Sequence, residues 1–206
     1  MDRKVDIKKR AVLLNGFFNV EEVELSFEKF DGTMSPLVNR LNLDRGDAVA
    51  AVLFNTKRQR VILVKQFRYA TLAKGTGWMT EIVAGLPDAG EEPETTVRRE
   101  ILEETGYKAE KLERIFTFYV SPGITSERIH LFYAETGDAA AKGGGLEEEN
   151  EDIQVLELPL DEAIRQVESG EIADGKTIIG LLWLKARMGQ GQGVPRPAAT
   201  KNHRHF

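Results

Sequence analysis

A chain of 206 residues can bury a full core, either as one domain or as one domain with an appendage. With 41% hydrophobic and 30% charged residues it is globular in composition, and its net charge of −5 argues against a general nucleic-acid or anionic-membrane surface. The absence of cysteine excludes disulfides, thiolate catalysis and Cys-ligated zinc.

The first residues, MDRKVDIKKR, are charged and are not followed by an apolar segment of signal-peptide length. The longest apolar run, near Ile178–Leu184, is too short to span a bilayer. The expectation is a soluble cytoplasmic protein with no membrane or nucleic-acid partner. An anionic substrate would then depend on local basic residues or on a metal.

Taken in order, residues 10–41 predict β structure: AVLLNGFF, then VELSFEKF with Val23, Leu25 and Phe27 alternating with polar residues, then an Asp31-Gly32 hairpin turn. Residues 1–43 are expected to form a small N-terminal β segment. After a turn at Asp44-Arg45-Gly46, DAVAAVLF and RVILVKQFRY read as two strands whose nearly continuous apolar character suits burial on both faces. Arg68 closes the second, and WMTEIVAG, residues 78–85, reads as one further strand.

Pro93 suits the first turn of a helix and Gly106 the position past its end, which predicts a helix over 92–105. On a wheel of about 100° per residue with Ile101 at zero, Val97 lies near about −40° and Thr105 near about +40°, defining an apolar face. Glu104 falls near about −60° and Glu100 near about −100° on the same wheel, within or beside the face that packs inward, whereas Glu103 points away beside Arg99. An acidic stretch is ordinarily a solvated surface. Here three glutamates are i, i+3 and i+4 neighbours toward the C-terminal end of a helix, where each like-charge contact costs about 0.2–0.5 kcal/mol and the helix dipole also disfavours anions. A divalent cation would turn the repulsion into coordination. Clustered carboxylates without Cys or His favour Mg²⁺, with Mn²⁺ as a substitute, over Zn²⁺.

Beyond this helix, KLERIFTFYV and ERIHLFYAE predict two strands flanking the loop SPGITS. AAAKGGGLEEENED reads as a Gly-rich acidic loop, expected to be mobile without ligand because consecutive glycines fix no conformation. A short strand IQVLEL, a helix from near Asp161 to Gly170 and a helix from about Lys176 to Met188 follow. The tail from 191 to 206 carries breakers without periodicity and is expected to be flexible.

Residues 85–107, GLPDAGEEPETTVRREILEETGY, resemble the signature box of the Nudix hydrolases, G-x5-E-x7-R-E-U-x-E-E-x-G-U with U apolar. Gly85, Glu91, Arg99, Glu100, Ile101, Glu103, Glu104 and Gly106 all fall in place, and only Tyr107 departs from the usual aliphatic residue. The seven fixed letters would coincide by chance roughly once in 10⁸ to 10⁹ starting points, so the match is specific. The resemblance implies an α/β (α+β) fold, the Nudix α/β/α sandwich with a mixed sheet over 44–190, with the N-terminal β appendage often exchanged between protomers of a homodimer.

It also implies roles. Glu100 and Glu104 would be direct metal ligands, Glu103 an additional one, and the Ala84 carbonyl a further contact. Arg99 would orient the glutamates together with Glu91. The segments SPGITSER, DRGDAVA, VKQFR, GGGLEEENEDIQVLELP and IADGKTII resemble ADP-ribose and GDP-mannose pyrophosphatases. Hydrolysis of a nucleoside diphosphate sugar to a nucleoside monophosphate and a sugar phosphate is the implied reaction. The general base would be Glu149 on the acidic loop, with Glu151 behind it and Glu127 as the rival. Arg45 and Arg68 are candidates to clamp phosphate or sugar, since a guanidinium fork suits phosphate oxygens. Glu81 could meet substrate or metal, and Trp78, Phe67 and Tyr69 could stack on a base. His130, alternating in an apolar strand, reads as structural, and His203 and His205 carry no role. The alternative reading is a non-catalytic domain that senses nucleotide sugars; such regulators usually lose box carboxylates and add a DNA-binding extension, and this chain does neither.

Overall fold

The computed structural model describes residues 3–146 and 151–189. These form two compact units, one of residues up to Asp47 together with Phe118–Ile129, the other of Ala48–Thr117 and the residues from His130 onward.

In the first unit, β1 (Val5–Asn15), β2 (Asn19–Phe27) and β3 (Val38–Asp44) make a three-stranded sheet in that order, with both pairings antiparallel. The strands begin earlier than the hydrophobic pattern indicates, because Val5–Leu14 pairs along Val20–Phe27 whether or not its side chains are covered. Asp31-Gly32 does turn the chain: the Gly32 N–H donates to the Lys29 carbonyl at 3.0 Å, with Gly32 at φ +81°. The SPGITSER loop lies along β3, where the Leu43 N–H donates to the Ile124 carbonyl at 2.9 Å and the Ser126 N–H to the Leu43 carbonyl at 3.2 Å.

The second unit is built on a mixed sheet in the order β10-β5-β4-β9-β8, with β6 added beside β5 and β7 beside β4. Its strands are β4 (Ala48–Asn55), β5 (Arg60–Phe67), β6 (Trp78–Glu81), β7 (Val83–Gly85), β8 (Lys111–Tyr119), β9 (Arg128–Thr136) and β10 (Gln154–Leu158). Every residue of β4 is buried, as its continuous apolar run requires. Alternation along β4 divides the core: Val49, Ala51 and Leu53 join Val97 and Ile101 of helix α1 (Pro93–Thr105), while Val52 approaches Gly180 of helix α3 (Gly175–Gly189). The two helices therefore cover opposite faces of the sheet, and α2 (Leu160–Ser169) packs against α3.

The single strand expected over 78–85 is in fact two. Trp78–Glu81 pairs with β5, Val83–Gly85 pairs with β4, and Ile82 sits between them. Its buried N–H leaves the ladder and donates to Thr177 Oγ1 of α3 at 2.8 Å. That break lets one short segment change partner strands immediately before α1.

Helix α1 has the limits its terminal residues dictate. Glu92 is the extended N-cap, Pro93 takes the first turn, and Gly106 ends the helix in the left-handed region at φ +74°.

Candidate active site

The chemistry of the second unit gathers where β7 meets α1. Ala84 and Gly85 end the strand, and the helix lays its acidic margin against them. A Cβ on Gly85 would stand 2.0 Å from Glu100 Cδ and Oε1, so only glycine lets this carboxylate lie on the strand backbone. Glu104, predicted near the inward margin, is 3% exposed.

Arg99 holds the opposite side of the cluster. Its Nη1 donates to Glu100 Oε1 at 2.9 Å and to Glu103 Oε2 at 3.0 Å, and its Nη2 donates to Glu91 Oε2 at 3.1 Å and to the Leu86 carbonyl at 3.2 Å. A planar fork with several donors can bridge acids of one helix and of the loop before it at once. Glu91 is pinned further by the Asp88 N–H at 3.1 Å. The Arg99 fork and that amide hold the Glu91 carboxyl down at about 2.

The other two carboxylates move the opposite way. Burial pushes Glu100 up to about 7 against the pull of Arg99, with the charges of Glu103 and Glu151 adding to the rise. Burial pushes Glu104 up to about 8, with Glu100 and Glu151 repelling it and Arg68 and a backbone hydrogen bond from Ala84 opposing the shift. Among the described residues, Glu104 Oε2 is the buried side-chain oxygen with no hydrogen-bond partner. A buried carboxylate oxygen without a donor is costly unless a cation or proton meets it.

Among the described residues no three acids converge to enclose an ion as they stand, because Glu100 and Glu103 both lean to Arg99. The donor set nevertheless fits a hard divalent cation: carboxylate oxygens and a strand-end carbonyl, with no sulfur or imidazole. The buried Glu104 oxygen without a donor is where such a cation would be received.

Beside this cluster lies a second network. Glu81, 5% exposed, accepts from Arg68 Nε at 2.9 Å and from Lys176 Nζ at 2.8 Å, and Lys176 also pairs with Asp174 at 3.1 Å. Asp174 starts α3 by accepting from the Thr177 N–H at 3.0 Å and from Thr177 Oγ1 at 2.6 Å. Arg68 and Glu81 are thus brought together, and Arg68 acts electrostatically on Glu104. Lys176 went unnoticed in the sequence as a site residue; its signal is a lysine at the first turn of a helix, where a cation is unfavourable unless an acid receives it.

The described part of the glycine-rich loop caps the C-terminal end of α1: the Gly144 N–H donates to the Glu104 carbonyl at 2.9 Å and the Gly145 N–H to the Glu103 carbonyl at 3.2 Å. The loop places Glu151 near enough for its charge to act on Glu100 and Glu104. Glu149 lies outside the described residues, as do the tail from 191 to 206 and its histidines.

Arg45 and Glu127 belong to the first unit, where they face one another at 3.6 Å. Phe67 and Trp78 meet edge to face with ring centroids 5.7 Å apart, both about half exposed, and Tyr69 is exposed in a short 3-10 turn. His130 is buried between Arg114 Nη2, at 2.5 Å from its Nδ1, and Thr117 Oγ1, at 3.1 Å.

Comparison with known proteins bears on this arrangement. The family model described as the NUDIX domain matches residues 44–179. The GDP-mannose pyrophosphatase of Escherichia coli K12 is 38% identical over 189 residues, which covers 90% of this chain and 97% of that protein. The GDP-mannose pyrophosphatase of Escherichia coli O1:K1 / APEC matches with the same identity and coverage. The crystal structure of an ADP compounds hydrolase superposes with a TM-score of 0.71 at 21% identity, covering 92% of this chain and 97% of its own, a likeness of fold.

Proposed function

The chain belongs to the Nudix family, and we propose that it is a divalent-metal-dependent pyrophosphatase that splits GDP-mannose into GMP and mannose 1-phosphate. Hydrolysis of a nucleoside diphosphate sugar agrees with the whole-length relatives, which are GDP-mannose pyrophosphatases, and with an intact box. The observation that carries the reading is the buried Glu104 carboxylate with one unpartnered oxygen, set beside Glu100 on a strand-end glycine.

In this reading Glu100 and Glu104, with Glu103 and the Ala84 carbonyl, would hold a divalent cation such as Mg²⁺, which when bound would supply neutralisation of pyrophosphate charge and activation of a water. Arg99 ties Glu91, Glu100 and Glu103 to one guanidinium, and Glu100 and Glu103 would turn from it to meet the cation. The reaction adds water at one phosphorus and breaks the bridging P–O bond. Glu151, among the described residues of that loop the acid whose charge reaches the box, takes the proton of the attacking water. Arg68 and Lys176 are cations neutralised by Glu81 in the absence of substrate; exchange toward a phosphate oxygen places them against the leaving group.

A homodimer through the N-terminal sheet belongs to the same reading. Val5, Val12, Leu13, Leu14 and Leu41 of β1 and β3 are each at least half exposed, an apolar surface that a second copy would cover. Light scattering on Val12→Asp/Leu14→Asp is expected to give half the mass of the wild type.

The functional test is release of phosphate from products by a coupled phosphatase, with GDP-mannose, ADP-ribose and other nucleotides, in Mg²⁺, beside Glu104→Gln. GDP-mannose is expected to have the highest kcat/KM and the variant to be inactive. Tight binding of a nucleotide sugar without turnover would replace the enzyme by a sensor.

A further inference from the structure

Three consecutive glycines link α1 to Glu151, and each has a distinct steric reason. A Cβ on Gly143 would lie 2.3 Å from the Thr105 carbonyl carbon and 2.6 Å from its Cα, so this residue rests directly on the last turn of α1. Gly144 adopts φ +130°. Gly145, at φ +81°, leaves the space where a Cβ would come within 2.6 Å of Glu151 Cβ and Oε2.

The same short run touches the box twice. The amides of Gly144 and Gly145 donate to the carbonyls of Glu104 and Glu103, and Ala140 and Ala141 donate to the Gly106 carbonyl at 2.8 and 2.9 Å. Glu151 is then closed onto it from the far side: its N–H donates to the Leu146 carbonyl at 3.2 Å, its Oε2 accepts from the Leu146 N–H at 3.1 Å, and the Ile153 N–H donates to the Gly144 carbonyl at 3.2 Å. Ile153 is part of the core that holds α1. The backbone that caps the helix and the backbone that fixes Glu151 are therefore one piece of chain.

We propose that Gly143 and Gly145 are positioning residues, a strap that sets the Glu151 carboxylate in register with Glu103 and Glu104. The inference rests on the metal-dependent reading above for its chemistry but concerns how the chain places its own acid. A movement of the strap displaces Glu151 relative to the box without altering either set of side chains. Free glycine at these positions would be a liability in an ordinary loop, since it raises the entropy of the unfolded chain. Here it is required by contact.

A double-mutant cycle in the full chain tests this, with Gly143→Ala, Glu151→Gln and both together. The readouts are kcat and KM for GDP-mannose and, separately, Mn²⁺ affinity by electron paramagnetic resonance. Gly143→Ala is expected to lower kcat about 10- to 100-fold with KM within about threefold, and to weaken Mn²⁺ binding. The double variant is expected to match Glu151→Gln within about twofold in both readouts, because once the carboxylate is gone there is nothing left to position. Multiplying effects in the double variant, or an unchanged kcat and Mn²⁺ affinity in Gly143→Ala, overturn the proposal. Should Gly143→Ala fail to fold, Gly145→Ala runs the same cycle, since its Cβ meets the Glu151 side chain instead of the helix backbone. If the wild type hydrolyses nothing, the enzymatic reading fails and the Mn²⁺ cycle alone decides the strap. If the wild type hydrolyses GDP-mannose and the effects multiply, the strap fails and the reading stands.

Discussion

Replacing Glu104 by Gln removes one ionisable group and keeps its shape, which isolates the electrostatic cost that the box carries without a cation. The carboxyl is raised from 4.5 to about 8, chiefly by burial. Between those values the folded chain holds a proton that the unfolded chain has released, so stability falls as pH rises through this window. At about 1.4 kcal/mol for each pH unit, the loss by pH 8 is about 4 kcal/mol. For a domain of this length that corresponds to roughly 10 °C in Tm. Glu100, raised to about 7, adds in the same direction. Glu91 does not interfere: held down at about 2, its contribution is present above the ordinary carboxylate range and is lost only as pH falls toward 2. Thermal melts in EDTA at pH 5.5 and pH 8 are the assay. The wild type should melt lower at pH 8, Glu104→Gln should melt roughly 10 °C above the wild type there, and Mg²⁺ should raise the wild type at pH 8 more than the variant. A wild-type Tm that is flat or rising between these pH values, or a variant no more stable at pH 8, would falsify the account of Glu104 as an uncompensated buried acid.

Two further outcomes follow from the same geometry. Glu151→Gln is expected to lower kcat about 10²- to 10⁴-fold with the melt unchanged within a few degrees; a greater loss in Glu127→Gln or Glu149→Gln, measured side by side, would move the base to those positions. Glu81→Ala takes from the partly buried Lys176 its nearer acid and leaves it Asp174, and is expected to cost about 1.5–3 kcal/mol in urea unfolding, whereas Glu81→Gln with Lys176→Met together should recover most of it. Equal destabilisation by the single and the double change would mean that the pair is not a unit.

Much of this protein is local and was therefore legible in its sequence. Pro93 and Gly106 bracket α1 because each has a backbone preference of its own, and the 3.6-residue period alone carries Glu104 inward and Glu103 toward Arg99. The continuous apolar run of β4 announces a strand covered on both faces. The signature spacing identifies the family because it repeats positions along one helix and the loop before it.

What the sequence could not show depends on partners far along the chain. The break at Ile82 exists because Thr177 of another helix supplies its acceptor. Glu81 is read one way in a strand end and another once Lys176, 95 residues later, is placed on it. Three glycines in a row suggest freedom; in the structure Gly143 lies where a Cβ would meet the last turn of α1, and the amides of Gly144 and Gly145 reach the carbonyls of Glu104 and Glu103, a long-range pairing that nothing local announces. Short-range geometry is set by the covalent chain, and the choice of long-range partners is set by which packing leaves the fewest buried groups alone.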